Sequence, residues 1–259
     1  MTKMEYAREI ALAVNGEIKE VEKANGVKLI GITKRTESGK VAPNVYIDQA
    51  YEYGEPIEEV AVKIQRIFDA EAPEIPNVDD VLIYEKVKPM LRARLYNSST
   101  KADVFRSASE YGFDDLIIIP YVQLNIEMSV KVTNDLIERW EADANEVLEI
   151  AMKNSMQDVE EKSMAEMFGL PEEALPSPMR VVSNFSKMHG AIGILGKLAE
   201  LKERYGSFMV IPSSIHEVIV VPTDSKDDAF TKMIKAVNEG QVAPEERLGS
   251  HEYYFGEVA

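Results

Sequence analysis

The residues in this chain best equipped for chemistry sit together in Ser213-Ser214-Ile215-His216-Glu217, two hydroxyls, an imidazole and a carboxylate within one short stretch. Acyl-transfer hydrolysis needs a nucleophile, a base and an orienting acid that converge beside an oxyanion hole. Ser213 or Ser214 would be the nucleophile, His216 or His251 the base and Glu217 the orienter. Two features weigh against that reading. Ser214 and His216 are only two positions apart, and the chain contains no Gly-x-Ser-x-Gly elbow. Serine and histidine in a turn also commonly bond their own backbone, and this structural reading is the stronger one.

Metal and cofactor chemistry fare no better. His216-Glu217 opens like a zincin motif, but Val220 stands where the second histidine belongs, and Val218-Ile219-Val220-Val221 favours a strand over the required helix. Cysteine is absent, which removes thiolate nucleophiles and thiolate zinc ligands. A three-histidine zinc site would need His189, His216 and His251 to meet, so no metal is expected. The glycines of Gly190-Ala191-Ile192-Gly193-Ile194-Leu195-Gly196 follow a spacing of three, unlike the dinucleotide fingerprint, and no phosphate-binding Gly-Lys-Ser/Thr occurs. Close packing explains them, and no cofactor is expected.

Charge narrows the partners. The 45 Asp and Glu against 29 Lys and Arg give a net −16, which argues against nucleic acid, since phosphates demand a cationic surface. No apolar run approaches the roughly 18 residues of a membrane span, and Met1 leads into amphipathic sequence, so a cytoplasmic location is expected. Residues 137–178 carry eleven acidic against three basic side chains, together with Met152, Met156, Met164 and Met167. The methionines read as the core face of helices and the acids as a solvated face. Charge mimicry toward a protein partner is the functional version of that acidity.

The elements that must position these residues follow from periodicity. Tyr6, Ile10 and Val14 predict a helix, ended at Asn15-Gly16. Strands over 17–23 and 27–34 flank Asn25-Gly26, Ser38-Gly39 turns, and 42–47 make a third strand. Ile57, Val60, Ala61, Ile64 and Phe68 form one helical stripe behind Pro56. A linker is read at 72–77 and a helix over 79–97, bent or started at Pro89. Strands are expected at 116–119 and 127–132, then a capped helix holding Trp140 and a helical, acidic stretch broken by Pro171, Pro176 and Pro178. Beyond it come strands near 179–183, 208–212 and 217–222, helices over 197–204 and 225–240, and a closing strand at 251–255. The result is an α+β fold of mixed helices and short antiparallel sheets in two lobes. It divides as a 1–72 α-β-β-β-α lobe, a 73–178 helical, acidic, methionine-rich middle and a 179–259 α+β lobe.

Two stretches, IPSSIHEVIVVP (211–222) and VNEGQVAPEERLGSHEYYF (237–255), with APNVYID (42–48) and Tyr51-Glu52-Tyr53-Gly54, resemble a domain-of-unknown-function family of gut Firmicutes whose genes often neighbour mobile elements. The resemblance spans the two ends, and the middle matches weakly. It implies no activity or cofactor. It does point to Ser213, Ser214, His216 and Glu217, together with Asn238, Val242, Pro244 and Glu245, as a family-like surface for binding. The expectation is therefore an acidic cytoplasmic binding or regulatory protein with a protein partner, acting on a host defence or regulatory protein. A Ser/His/Glu hydrolase is the alternative.

Overall fold

Thr2 begins the chain's first helix with a capping box. Its hydroxyl accepts the Glu5 N–H, and the Glu5 carboxylate accepts the Thr2 N–H at 2.8 Å. In this computed structural model, residues 1–23, 25–34, 43–70, 78–126, 128–171, 173, 178–224 and 229–256 are described. Ser38-Gly39 and the linker read at 72–77 lie outside them. The chain divides into two compact units, Met1–Ile75 and Pro76–Ala259.

In the first unit, α1 (Lys3–Ala13) ends two residues before Asn15, whose φ of 49° turns the chain into β1 (Gly16–Glu22). β1 pairs antiparallel with β2 (Lys28–Lys34), which pairs in turn with β3 (Asn44–Tyr46), giving the order β1-β2-β3. Then come α2 (Asp48–Glu52) and α3 (Ile57–Asp69), with Pro56 at the N-cap. The predicted stripe Val60, Ala61, Ile64 and Phe68 meets Tyr6, Ala7 and Ile10 of α1 over Ile32 and Ile47. Asp48, a buried carboxylate, accepts from Lys3 Nζ and the Ile30 N–H, both at 2.8 Å, so its charge is fully matched.

The second unit opens with two 3-10 turns around α4 (Tyr84–Val87), then β4 (Leu91–Asn97). Helix was expected through residue 97. Instead Pro89 lies within the second 3-10 turn, Lys88–Met90, and Leu91, Ala93 and Leu95 alternate inward as a strand requires. β5 (Arg106–Ser107), β6 (Leu116–Gln123) and β7 (Ser129–Lys131) complete an antiparallel sheet in which β6 pairs with β4, β5 and β7. α5 (Asn134–Trp140) starts from a Thr133 cap, and its Trp140 donates to the Val81 carbonyl at 2.8 Å. α6 (Ala144–Ser155) starts from Asp143.

The acidic middle is not helical throughout. β8 (Val159–Ser163) interrupts it, because Val159 through Ser163 pair with β9 (Arg180–Asn184). The methionines therefore do not form one stripe. Met152 and Met156 pack on the core beside α6, whereas α7 (Met164–Met167) follows the strand and leaves Met167 exposed. A 3-10 turn at Gly190–Gly193 leads into α8 (Ile194–Tyr205), followed by β10 (Phe208–Ser214), β11 (Glu217–Pro222), α9 (Ala229–Gly240) and β12 (Tyr253–Phe255). The second sheet runs β12-β10-β11-β9-β8, every pairing antiparallel. One apolar core joins side chains on both sides of Pro178, from Leu91, Phe113 and Leu148 to Val182, Phe208 and Tyr253. The fold is α+β. No helix among the described residues is long and apolar enough to cross a membrane.

Candidate functional site

Strand alternation in β4 sends Leu91, Ala93 and Leu95 to the core and places Arg92, Arg94 and Tyr96 on the opposite face. On β6, Tyr121 and Gln123 share that second face. Arg94 is 6 % exposed and is the only buried cation among the described residues. Its guanidinium donates to Gln123 Oε1 at 2.7 Å and lies 4.1 Å from the Tyr121 ring centre. Gln123 is oriented for this task. Its amide nitrogen is held by the Asn125 and Met128 carbonyls, which leaves the oxygen to face Arg94. Among the described residues no carboxylate forms an ion pair with Arg94 or Arg92. Arg92 is instead spent on the carbonyls of Pro89 and Leu91, at 2.9 and 2.8 Å.

Both arginines line a cavity of about 110 Å³. Gln123, Ser129, Asp158, Asn184, His189 and the backbone of Gly190 and Gly193 also face it, with Ile126, Val159 and Ile192 as apolar wall. The glycine spacing explains how the Gly190–Gly193 turn comes so close to the sheets. A Cβ on Gly190 would lie 2.5 Å from the Asn184 nitrogen, and one on Gly196 would lie 2.5 Å from the Met156 sulfur. Close packing, as read from the sequence, is their role.

His189 enters this turn in the left-handed region at φ 57°. Burial, the Arg94 cation and neighbouring His216 hold its imidazole neutral, with a pKa lowered to about 3, and its Nδ1 has no hydrogen-bond partner. His216 lies flat against it, the ring centres 5.3 Å apart. The Nδ1 of His216 accepts the His189 backbone N–H at 3.0 Å, and its Nε2 is 3.3 Å from Glu246 Oε1.

The Ser213–Glu217 turn closes the β10–β11 hairpin. Ser214 Oγ accepts the His216 backbone N–H at 3.1 Å, and Ser213 Oγ is 3.5 Å from Glu217 Oε1. Both hydroxyls thus bond within the turn, and both His216 nitrogens point elsewhere. Asn238, also buried, donates to the Gly249 carbonyl at 2.8 Å. Pro244 and Glu245 form a 3-10 turn with Glu246, whose carbonyl accepts the Ile215 N–H at 2.9 Å, so the family-like stretches meet at this hairpin. His251 lies against other residues: its Nε2 is 3.5 Å from Asp114 Oδ1 and its Nδ1 3.9 Å from Asp115 Oδ2. These three offer the one grouping among the described residues with ligand atoms close enough for a cation, and it contains a single histidine. Asp114 is largely exposed, and Asp115 already accepts from the Tyr253 hydroxyl at 2.5 Å.

Arg94 was not singled out by its sequence. Read as helix, residues 91–97 scatter their arginines around a cylinder; as a strand, they align Arg92, Arg94 and Tyr96 on one face. The alternation Leu-Arg-Ala-Arg-Leu was the available signal. Comparison with known proteins gives a single result: the model of a family of unknown function, DUF5688, matches residues 3–257. The chain belongs to that family. No curated protein and no solved structure matches it.

Proposed function

We propose that this protein binds a small anionic ligand in the Arg94 cleft and acts as a binding or regulatory protein, not a hydrolase. The observation that carries this reading is Arg94 itself, a buried cation facing a cavity without an ion-pair partner. Burying an unpaired charge costs several kcal/mol, of order 3–5 when a pair is broken. Stacking on Tyr121 offsets only about 1–2 kcal/mol of such a cost. An incoming carboxylate or phosphate oxygen offsets more, through the paired, charge-assisted bonds that guanidinium geometry favours. The hydrolase alternative has less support, because neither ring nitrogen of His216 faces Ser213 or Ser214. In the bacterial cytoplasm, beside mobile elements as the family resemblance implies, ligand occupancy would be read out by a protein partner.

Calorimetric titration with acetate, phosphate and glycine, at constant ionic strength, tests the reading. Saturable binding by at least one of them is expected, weakening with added salt. Arg94→Met should abolish it, and Arg94→Lys, which keeps the charge but not the fork, should weaken it at least about tenfold. Binding that is unchanged in folded Arg94 variants, or absent for all three ligands, overturns it.

A further inference from the structure

We propose that the ligand is a small zwitterion, a free α-amino acid whose carboxylate meets Arg94 and whose ammonium meets Asp158. This rests on the reading of the cleft as a ligand site and adds the chemical class. Asp158, in the turn after α6, lines the same cavity as Arg94. Neither charge has an ion-pair partner among the described residues, and they do not pair with each other. Two opposite charges that share a cavity of about 110 Å³ without meeting leave a gap that a molecule with both charges would bridge.

The placement of the charges, not their sum of +1, supports the same class: Arg92 is held by the Pro89 and Leu91 carbonyls, so the opposite charges left open are Arg94 and Asp158. Arg92 and Arg94 bring two positive charges to the lining and Asp158 one negative charge, while His189 stays neutral. A bare anion would satisfy Arg94 but would bring a second negative charge toward Asp158. Like charges about 4 Å apart repel by roughly 4 kcal/mol at an effective dielectric of 20. An ammonium on the ligand turns that repulsion into attraction. The imidazole beside Arg94, with its unpartnered Nδ1, adds polarity to the site without adding charge. Size favours a small ligand. At roughly 30 Å³ per water the cavity holds about four waters, far below the roughly 300 Å³ where drug-sized sites begin. That room suits roughly five to seven non-hydrogen atoms, which is glycine, alanine or serine, with Ile126, Val159 and Ile192 as wall for a short side chain.

The test is calorimetric titration of the full chain with L-alanine, glycine, L-serine, propionate and phosphate. Propionate is alanine without its ammonium. Alanine should bind at least about tenfold tighter than propionate, the value of one charge-assisted hydrogen bond. Asp158→Asn should bring the two within about threefold of each other, and Asp158→Ser, confirmed folded by circular dichroism, should do the same. If propionate or phosphate binds as well as alanine in an Arg94-dependent way, the zwitterion is refuted and the anion site stands. If alanine keeps its advantage in both Asp158 variants, Asp158 is not its partner and the proposal fails. Silence from every ligand refutes both readings.

Discussion

The imidazole of His216 accepts the backbone N–H of His189, holding at 3.0 Å a residue whose φ of 57° few non-glycine side chains adopt. The left-handed conformation costs roughly 1–2 kcal/mol, and the half-buried N–H would cost up to about 1–3 kcal/mol more if left without an acceptor. His216 therefore serves as the support of the Gly190–Gly193 turn that walls the cleft. His216→Ala should destabilise the second unit by about 1–3 kcal/mol, read as a lower denaturant midpoint with an unchanged slope. It should weaken ligand binding as well. A midpoint equal to wild type would remove this role.

His189 makes stability depend on pH in a defined window. Its folded pKa is about 3, against an ordinary 6.5, because burial and Arg94 oppose the imidazolium. Below 6.5 the unfolded chain takes up a proton that the folded chain refuses until about 3, so stability is full above 6.5 and falls as the pH drops between those values. The slope approaches about 1.4 kcal/mol per pH unit. His189→Asn, which tolerates the left-handed backbone, should flatten the slope between pH 6.5 and 5, where few carboxylates titrate. Parallel curves for variant and wild type would contradict the buried, neutral imidazole.

Much of the fold was legible because burial writes itself into periodicity. Val60, Ala61, Ile64 and Phe68 announced α3, and the run Leu116–Ile119 announced a strand buried on both faces. Residues 91–97 read as helix because Pro89 can bend or start one, whereas it lies in a 3-10 turn that ends before the strand, and β8 was hidden by the helical acidic sequence around it. The candidate site was legible only in part. Ser214, His216 and Glu217 lie next to each other in sequence, so their turn could be seen. Arg94 and Asp158 lie 64 positions apart in the sequence and share a cavity only after β4 has paired with β6 and α6 has packed on that sheet.

Two glycines should respond differently to the same change. Gly190→Ala would bring a Cβ to 2.5 Å from the Asn184 nitrogen and 2.8 Å from the His216 carbonyl oxygen, both backbone atoms that cannot swing aside. Overpacking of this kind costs about 1–3 kcal/mol and should also perturb the cleft. Gly206, at φ 69° and ψ −61°, has nothing within 4 Å of the added carbon, so Gly206→Ala should cost only conformational strain, about 1–3 kcal/mol, and leave the cleft untouched. Equal losses in the two variants, with ligand binding intact in both, would rule out close approach at Gly190.

Glu161 shows why the acidic stretch is more than a solvated face. Its side chain is 7 % exposed, and its carboxylate accepts from Arg180 Nε at 3.1 Å and Arg204 Nη1 at 2.5 Å, with Lys197 Nζ at 3.5 Å. Arg180 comes from the neighbouring strand, while Lys197 and Arg204 come from α8, so this one acid fastens the helix to the sheet. Burial pushes its pKa up, yet the hydrogen bonds and charges of Arg204, Arg180 and Lys197 prevail and leave it below 4.5. Glu161→Gln leaves three cations around a neutral amide and should cost about 1–3 kcal/mol at pH 7. Because the folded pKa is depressed, the carboxylate's contribution is complete above about 4.5 and disappears as the pH falls through its lower folded value. The gap between wild type and Glu161→Gln should therefore stay constant from pH 7 to 5, where the Glu161 carboxylate stays ionised, and close below that. A gap that instead shrinks between pH 6.5 and 5 would mean that Glu161 and His189 are coupled, which their separate partners argue against.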